Sequence, residues 1–241
     1  MPIFEREQIK IYYEERGTGF PVLLFAPGGM RSAIRFWEGS PFNPLEVLSP
    51  HFRVIAMDQR NAGRSTAPVT AADGWHSYTA DHLALLDHLG IERCHLLGGC
   101  IGGPYCFGVM QRAPERVAAA VIQQTIGYED NRQAFYEMFN GWADALRASR
   151  PDVPPGAWES FRANMYDGGF VFNVTREFIR SCRTPMLVLM GKDLYHPESV
   201  SREVAELAPD AVLVERWREP EVVGQTVATV IDFLRSHTPR S

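Results

Sequence analysis

Short apolar runs recur along the chain, and between them hydrophobic positions return at helical spacing. Val22 to Ala26, Val54 to Met57, Cys94 to Leu97, Val117 to Ile122, Met186 to Met190 and Ala211 to Val214 are runs of this kind, several of them ending in glycine or proline. Continuous rather than alternating hydrophobicity predicts strands buried on both faces. Residues 3 to 15 alternate instead, and predict two short strands around Glu5–Gln8. Amphipathic spacing predicts helices from about Tyr78 to Leu89, closed by Gly90, from Pro104 to Arg112, from Ser199 to Leu207 and from Val222 to Leu234. Strands alternating with helices predict an α/β architecture, a mostly parallel central sheet flanked by helices.

The stretch 128–183 breaks this rhythm. Phe135, Tyr136, Phe139, Trp142, Trp158, Phe161 and Tyr166 crowd into it, and Pro151, Pro154 and Pro155 divide it. It reads as a helical cap inserted over the sheet, so that residues 1–241 form one domain carrying the 128–183 insertion. A chain of 241 residues suffices for one large core.

Composition narrows the function classes. A net charge of −5 supplies no electrostatic footprint for nucleic acid or for an anionic membrane surface. The apolar runs are too short to span a bilayer, and the polar stretch Met1 to Lys10 does not read as a secretory signal. The four cysteines, Cys94, Cys100, Cys106 and Cys182, lack metal-ligand spacing and are expected as free thiols in a cytoplasmic protein. No metal or organic cofactor is implied. A small-molecule substrate is expected, and a homodimer is compatible with the sequence.

The chemistry concentrates at one turn. Gly98-Gly99-Cys100-Ile101-Gly102 lies between a buried strand and a helix, the context of a nucleophile elbow. A nucleophile there sits on strained backbone, and the flanking glycines let neighbouring chain pack without Cβ clashes. The helix beginning at Ile101 directs its free N–H groups and positive dipole end at the same place, which favours a thiolate and an oxyanion. The plainer reading is a glycine-rich turn around an inert buried cysteine.

With this turn in place, nearly the whole chain resembles the α/β-hydrolase superfamily. Ala26-Pro27-Gly28-Gly29-Met30 stands where relatives carry the loop that completes the oxyanion hole. Asp58-Gln59-Arg60-Asn61-Ala62-Gly63-Arg64-Ser65 is similar to a turn of the family that is mostly structural, and Gly191-Lys192-Asp193 to the loop that holds the triad acid. The resemblance implies Cys100 as nucleophile, with the amides of Ile101 and of Gly28 or Gly29 as oxyanion donors. Pro27 has no N–H and is excluded.

The sequence departs from the family where the catalytic histidine belongs. After the last strand it reads Glu215-Arg216-Trp217-Arg218-Glu219-Pro220, with no histidine. His196, three residues past Asp193, is the leading replacement, oriented by that carboxylate, and His76 is second. The plainer reading of His196 is a surface residue fixed by Pro197. A thiol needs less help from a base than a hydroxyl does, because its thiolate forms at lower pH. Of the aromatic cap, Phe139 and Trp142 are candidate substrate contacts lining an apolar or aromatic cavity, with Gln123 at the strand exit and Trp217 as floor.

These residues predict a hydrolase of a small ester, thioester or lactone. Two alternatives remain open: a lyase, decarboxylase or acyl transferase on the same fold, and a catalytically silent small-molecule-binding protein.

Overall fold

The computed structural model describes residues 2–240 and builds them around an eight-stranded sheet. The strands are β1 (Ile3–Arg6), β2 (Ile9–Arg16), β3 (Pro21–Phe25), β4 (Arg53–Met57), β5 (Cys94–Gly99), β6 (Val117–Gln123), β7 (Met186–Leu189) and β8 (Ala211–Val214). Their spatial order is β1-β2-β4-β3-β5-β6-β7-β8. β1, β2 and β4 pair antiparallel, and every pairing from β4 to β8 is parallel.

Helices cover both faces. They are α1 (Pro44–Val47), α2 (Trp75–His88), α3 (Gly102–Arg112), α4 (Arg132–Arg147), α5 (Pro155–Tyr166), α6 (Arg176–Ser181), α7 (Glu198–Leu207) and α8 (Val223–Ser236). Among the described residues no helix is long and apolar enough to cross a membrane. The uninterrupted apolar runs are the central strands, because alternate side chains enter two separate cores. Leu23, Phe25, Ile55, Leu96 and Ile122 point into one core, whereas Val22, Leu24, Val54, Leu97 and Val121 point into the other.

α4, α5 and α6 occupy the chain between β6 and β7. Their aromatic side chains Phe135, Phe139, Trp142, Trp158 and Phe161 join the same core as α2, α3 and one face of the sheet. The second core is closed by α1 and α8, through Leu45, Val230 and Leu234. Parallel strands bring their C-terminal ends to one edge, so the loops after β3, β5, β6 and β7 meet there.

Candidate active site

Cys100 occupies the turn from β5 into α3 with φ of 59°, a left-handed conformation that costs a non-glycine residue strain. The strain is held by hydrogen bonds on both sides. Cys100 N–H donates to Gln123 O (3.0 Å), and Cys100 O accepts from Gly103 N (3.0 Å) and Ile126 N (3.3 Å). The flanking glycines serve proximity. A Cβ on Gly98 would run into the carbonyl of Gly102, and one on Gly102 into the carbonyl of Phe25.

The thiol is half-buried and faces charged and polar partners. Burial pushes its pKa up, but the His196 imidazolium and the backbone N–H groups of Gly28 and Ile101 outweigh burial and hold it below the ordinary thiol value. Two of the candidate oxyanion amides, Gly28 and Ile101, are therefore directed at the sulfur. Gly28 reaches this position in a left-handed conformation, φ 119°. Gly29 instead lies under Met138 of α4.

His196 approaches from the loop after β7. Its Nδ1–H donates to Asp193 Oδ1 at 2.7 Å, the only direction available because a carboxylate accepts. Asp193 Oδ1 also accepts the backbone N–H of Tyr195 (3.0 Å) and of His196 (3.2 Å), so one carboxylate ties the turn and aims the ring. Gly191 leaves room for the His196 backbone, which a Cβ there would strike. Nε2 is buried with no well-formed hydrogen bond, and it lies in the field of the Cys100 thiol. Burial alone would lower the imidazole pKa, but the Cys100 thiolate and Asp193 raise it to about 9. Asp193 shows the reverse: burial raises it, and His196 with the loop amides brings it below the usual carboxylate value.

Neighbouring segments brace this loop. Asn131 donates to Leu194 O (2.7 Å) and Gly127 O (3.0 Å), and the ring of Phe135 meets that of Tyr195 at 5.4 Å. His76, the second candidate base, is exposed at the start of α2, 3.5 Å from Ser77 Oγ. His82 and His95 are buried, each pressed to about 3 by burial, and bond to Gln59 and Thr238.

The expected substrate contacts are placed differently. Phe139 and Trp142 are packed edge-to-face at 5.3 Å within the cap core, and the Trp142 indole donates to Asn61 O (3.1 Å). Trp217 is 1% exposed, sits in the core on the α8 face of the sheet, and donates to Met190 O (2.7 Å). All three are buried, with at most 2% of their surface exposed. Gln123 anchors the elbow through its carbonyl, and its side chain donates to Ser40 Oγ (3.0 Å), leaving its own Oε1 unpaired.

Asp58 to Ser65 is a hydrogen-bonded turn, as its pattern implies. Asp58 accepts from Ile34 N and Arg64 N, both at 2.8 Å, and Ser65 Oγ donates to Asp58 O at 2.8 Å. Sequence reasoning missed what surrounds it. Arg60 is buried between Asp73 (2.7 Å) and Asp81 (2.8 Å). Next to that network is the buried phenol of Tyr78, which stacks on Tyr105, and Trp75 lies against both Tyr105 and Tyr166. Tyr105 lies one helical turn past Ile101 and was legible from the elbow; Tyr78 and Tyr166 arrive from other helices with no local signal.

A model of the alpha/beta hydrolase fold matches residues 21–169. A protein of Azorhizobium caulinodans named as a carbamate hydrolase, RutD, is 32% identical over 60% of this chain and 46% of its own length. A Bacillus subtilis protein named as a carboxylesterase is 27% identical over 79% of this chain and 69% of its own. The chain thus spans about half of the first relative and about two thirds of the second. Among solved structures, an enol-lactonase from Burkholderia xenovorans LB400 superposes with a TM-score of 0.72 at 23% identity, covering 97% of this chain and 100% of that one. A meta-cleavage product hydrolase from Pseudomonas fluorescens IP01 superposes with a TM-score of 0.71 at 23% identity, covering 95% and 96%. At that identity the likeness is one of fold.

Proposed function

The chain belongs to the alpha/beta hydrolase fold family, and on that premise we propose that it hydrolyses a small ester, thioester or lactone through Cys100. The observation that carries this reading is the orientation of His196. One ring nitrogen is fixed by Asp193, and the other is buried without a hydrogen bond, in the field of a thiol whose residue is held in left-handed strain. The hydrolase and esterase names of the relatives point the same way.

The chemistry follows from the geometry. Cys100 Sγ, as thiolate, adds to the carbonyl carbon and pushes its π electrons onto oxygen, where the Gly28 and Ile101 amides receive the charge. Collapse re-forms the carbonyl and breaks the bond to the leaving group, which takes the proton of the His196 imidazolium. A thioester and a neutral imidazole result. With the thiolate charge gone the imidazole is a base, and it draws a proton from water as water adds to the thioester. The second collapse expels Cys100 as thiolate and releases the carboxylic acid, while His196 keeps the proton taken from water and the ion pair is restored. Asp193 stays ionised throughout and holds the ring.

The test is the pre-steady-state cleavage of p-nitrophenyl acetate. A burst of one nitrophenolate per Cys100, absent in Cys100→Ala, is expected, followed by steady turnover that His196→Ala loses. A burst without turnover moves the reading to acyl transfer onto an acceptor other than water. No burst sinks it, in favour of lyase chemistry or ligand binding alone.

A further inference from the structure

At the end of the sheet away from Cys100, the residues that lead into β5, β6 and β7 line a cavity of about 440 Å³, within the range of small-molecule sites. The six residues of β5 separate it from the elbow, a distance of about 20 Å at the rise of a strand. The buried side chains of Met110, Val117 and Ala118 and the half-buried ring of Phe178 give it an apolar interior.

The charge around it has one sign. Arg93, just ahead of β5, and Arg183, just ahead of β7, line the cavity as exposed residues, and among the described residues no aspartate or glutamate lines it. Neither guanidinium makes an ion pair or a hydrogen bond with a described residue. Other arginines at this end are committed: Arg116 pairs with Asp87 at 2.9 Å, and Arg180 with Glu177 at 3.3 Å. Thr184 adds a third free group. It is 7% exposed and lines the cavity, yet its hydroxyl has no partner among the described residues. A threonine buried this far ordinarily has its hydroxyl paired.

Two cations on one cavity without a counter-charge favour an anion. The apolar interior makes that anion an organic one, because inorganic phosphate gains nothing from Met110, Ala118 and Phe178.

We propose that this cavity is a second small-molecule site and takes an organic carboxylate. The carboxylate lies on Arg93 and Arg183 and accepts from Thr184, and the hydrocarbon body packs on Met110, Ala118 and Phe178. The site is separate from Cys100 and does not depend on the reaction proposed there.

The probes are 4-phenylbutanoate, its neutral amide 4-phenylbutanamide and inorganic phosphate, titrated calorimetrically into Cys100→Ala at neutral pH. The carboxylate is expected to bind at least about tenfold tighter than either of the others, as charge-assisted hydrogen bonds allow. The double variant Arg93→Gln, Arg183→Gln loses that preference and keeps the Tm of its parent, since both residues are exposed. Cys182 reports the place. It lines the cavity at 6% exposure, whereas Cys94 and Cys106 are at 0%, so in Cys100→Ala it is the thiol that iodoacetamide reaches. Saturating 4-phenylbutanoate is expected to slow its alkylation several-fold, read by peptide mass spectrometry.

Equal affinity for acid and amide overturns the proposal, as does failure to bind at millimolar concentration. A preference that survives loss of both arginines puts the carboxylate elsewhere, and phosphate that binds as tightly as phenylbutanoate reduces the cavity to a cationic patch; either result refutes the site. Alkylation of Cys182 that is unchanged at saturation does the same, and if the thiol is inert in the free protein the arginine variant decides alone. Because every titration is made without the nucleophile, the outcome is independent of the p-nitrophenyl acetate burst.

Discussion

At the scale of single residues, the site depends on one proton shared by charge between sulfur and imidazole. Cys100 is held below the ordinary thiol value and His196 is raised to about 9, each chiefly by the other against the cost of burial. On the proposed mechanism the active form is therefore thiolate with imidazolium. As pH rises through the Cys100 pKa the nucleophile appears, and as it rises past about 9 the imidazolium loses the proton that the leaving group needs. Hydrolysis of an alkyl ester should follow a bell whose alkaline limb lies near that value, read from kcat/KM against pH. In His196→Gln only the Gly28 and Ile101 amides oppose burial at the thiol, so the midpoint of iodoacetamide alkylation should shift upward. Ester kcat/KM should then fall by about 10²–10⁴-fold, the range of general acid–base catalysis. An unchanged alkylation midpoint would separate the two side chains. That Cys100, Asp193 and His196 come together was legible in the sequence, because each is tied to a turn motif. The tyrosine cluster was not, since no spacing rule links α2, α3 and α5.

At the scale of elements, apolar runs such as Val22–Phe25 and Val54–Met57 gave the strands to within a residue, because strands buried on both faces carry no competing pattern. Helix starts were less legible. α2 begins at Trp75 rather than Tyr78, where Gly74 supplies no side-chain cap and Ser77 Oγ accepts from the Gly74 N–H at 3.4 Å. α1 went unread although Asn43-Pro44 carries its signal: the Asn43 side chain accepts from Leu45 N (3.1 Å), and Pro44 opens the helix. The packing of Phe139, Trp142 and Trp217 in the two cores was not legible, because aromatic composition does not distinguish a lining from a packed core. Elements also set how glycines respond to change. Gly98→Ala drives a methyl into the Gly102 carbonyl, and should cost about 1–3 kcal/mol or more by urea unfolding. Gly141→Ala, in the middle of α4 with open space around it, should stabilise by about 0.5–1 kcal/mol. If both changed stability alike, backbone propensity rather than close approach would explain the elbow glycines.

At the scale of the whole molecule, distant parts are joined beneath the site by buried charge. Arg60, from the turn after β4, bridges Asp73 ahead of α2 and Asp81 within it, and Arg6 of β1 reaches Asp81 at 3.3 Å. α2 also carries Tyr78, whose ring lies 5.7 Å from the Arg60 guanidinium, so the same ion pairs position that ring. Burial pushes the Asp81 pKa up and Arg60 pulls it back only in part. Arg60→Met keeps the stem but strands two carboxylates, and should destabilise by about 3–5 kcal/mol at neutral pH. The sign of its pH dependence is fixed by Asp81. With the guanidinium gone, the folded-state pKa rises further above the unfolded value, so the folded form binds the proton more tightly and gains stability as pH falls between the two. Urea unfolding of Arg60→Met at pH 7 and pH 5 should therefore show a smaller deficit against wild type at pH 5, and Asp81→Asn in the same background should recover part of the loss at pH 7. A deficit equal at both pH values would mean that the lost packing of the arginine stem, and not the stranded charge, sets the stability of this side of the molecule.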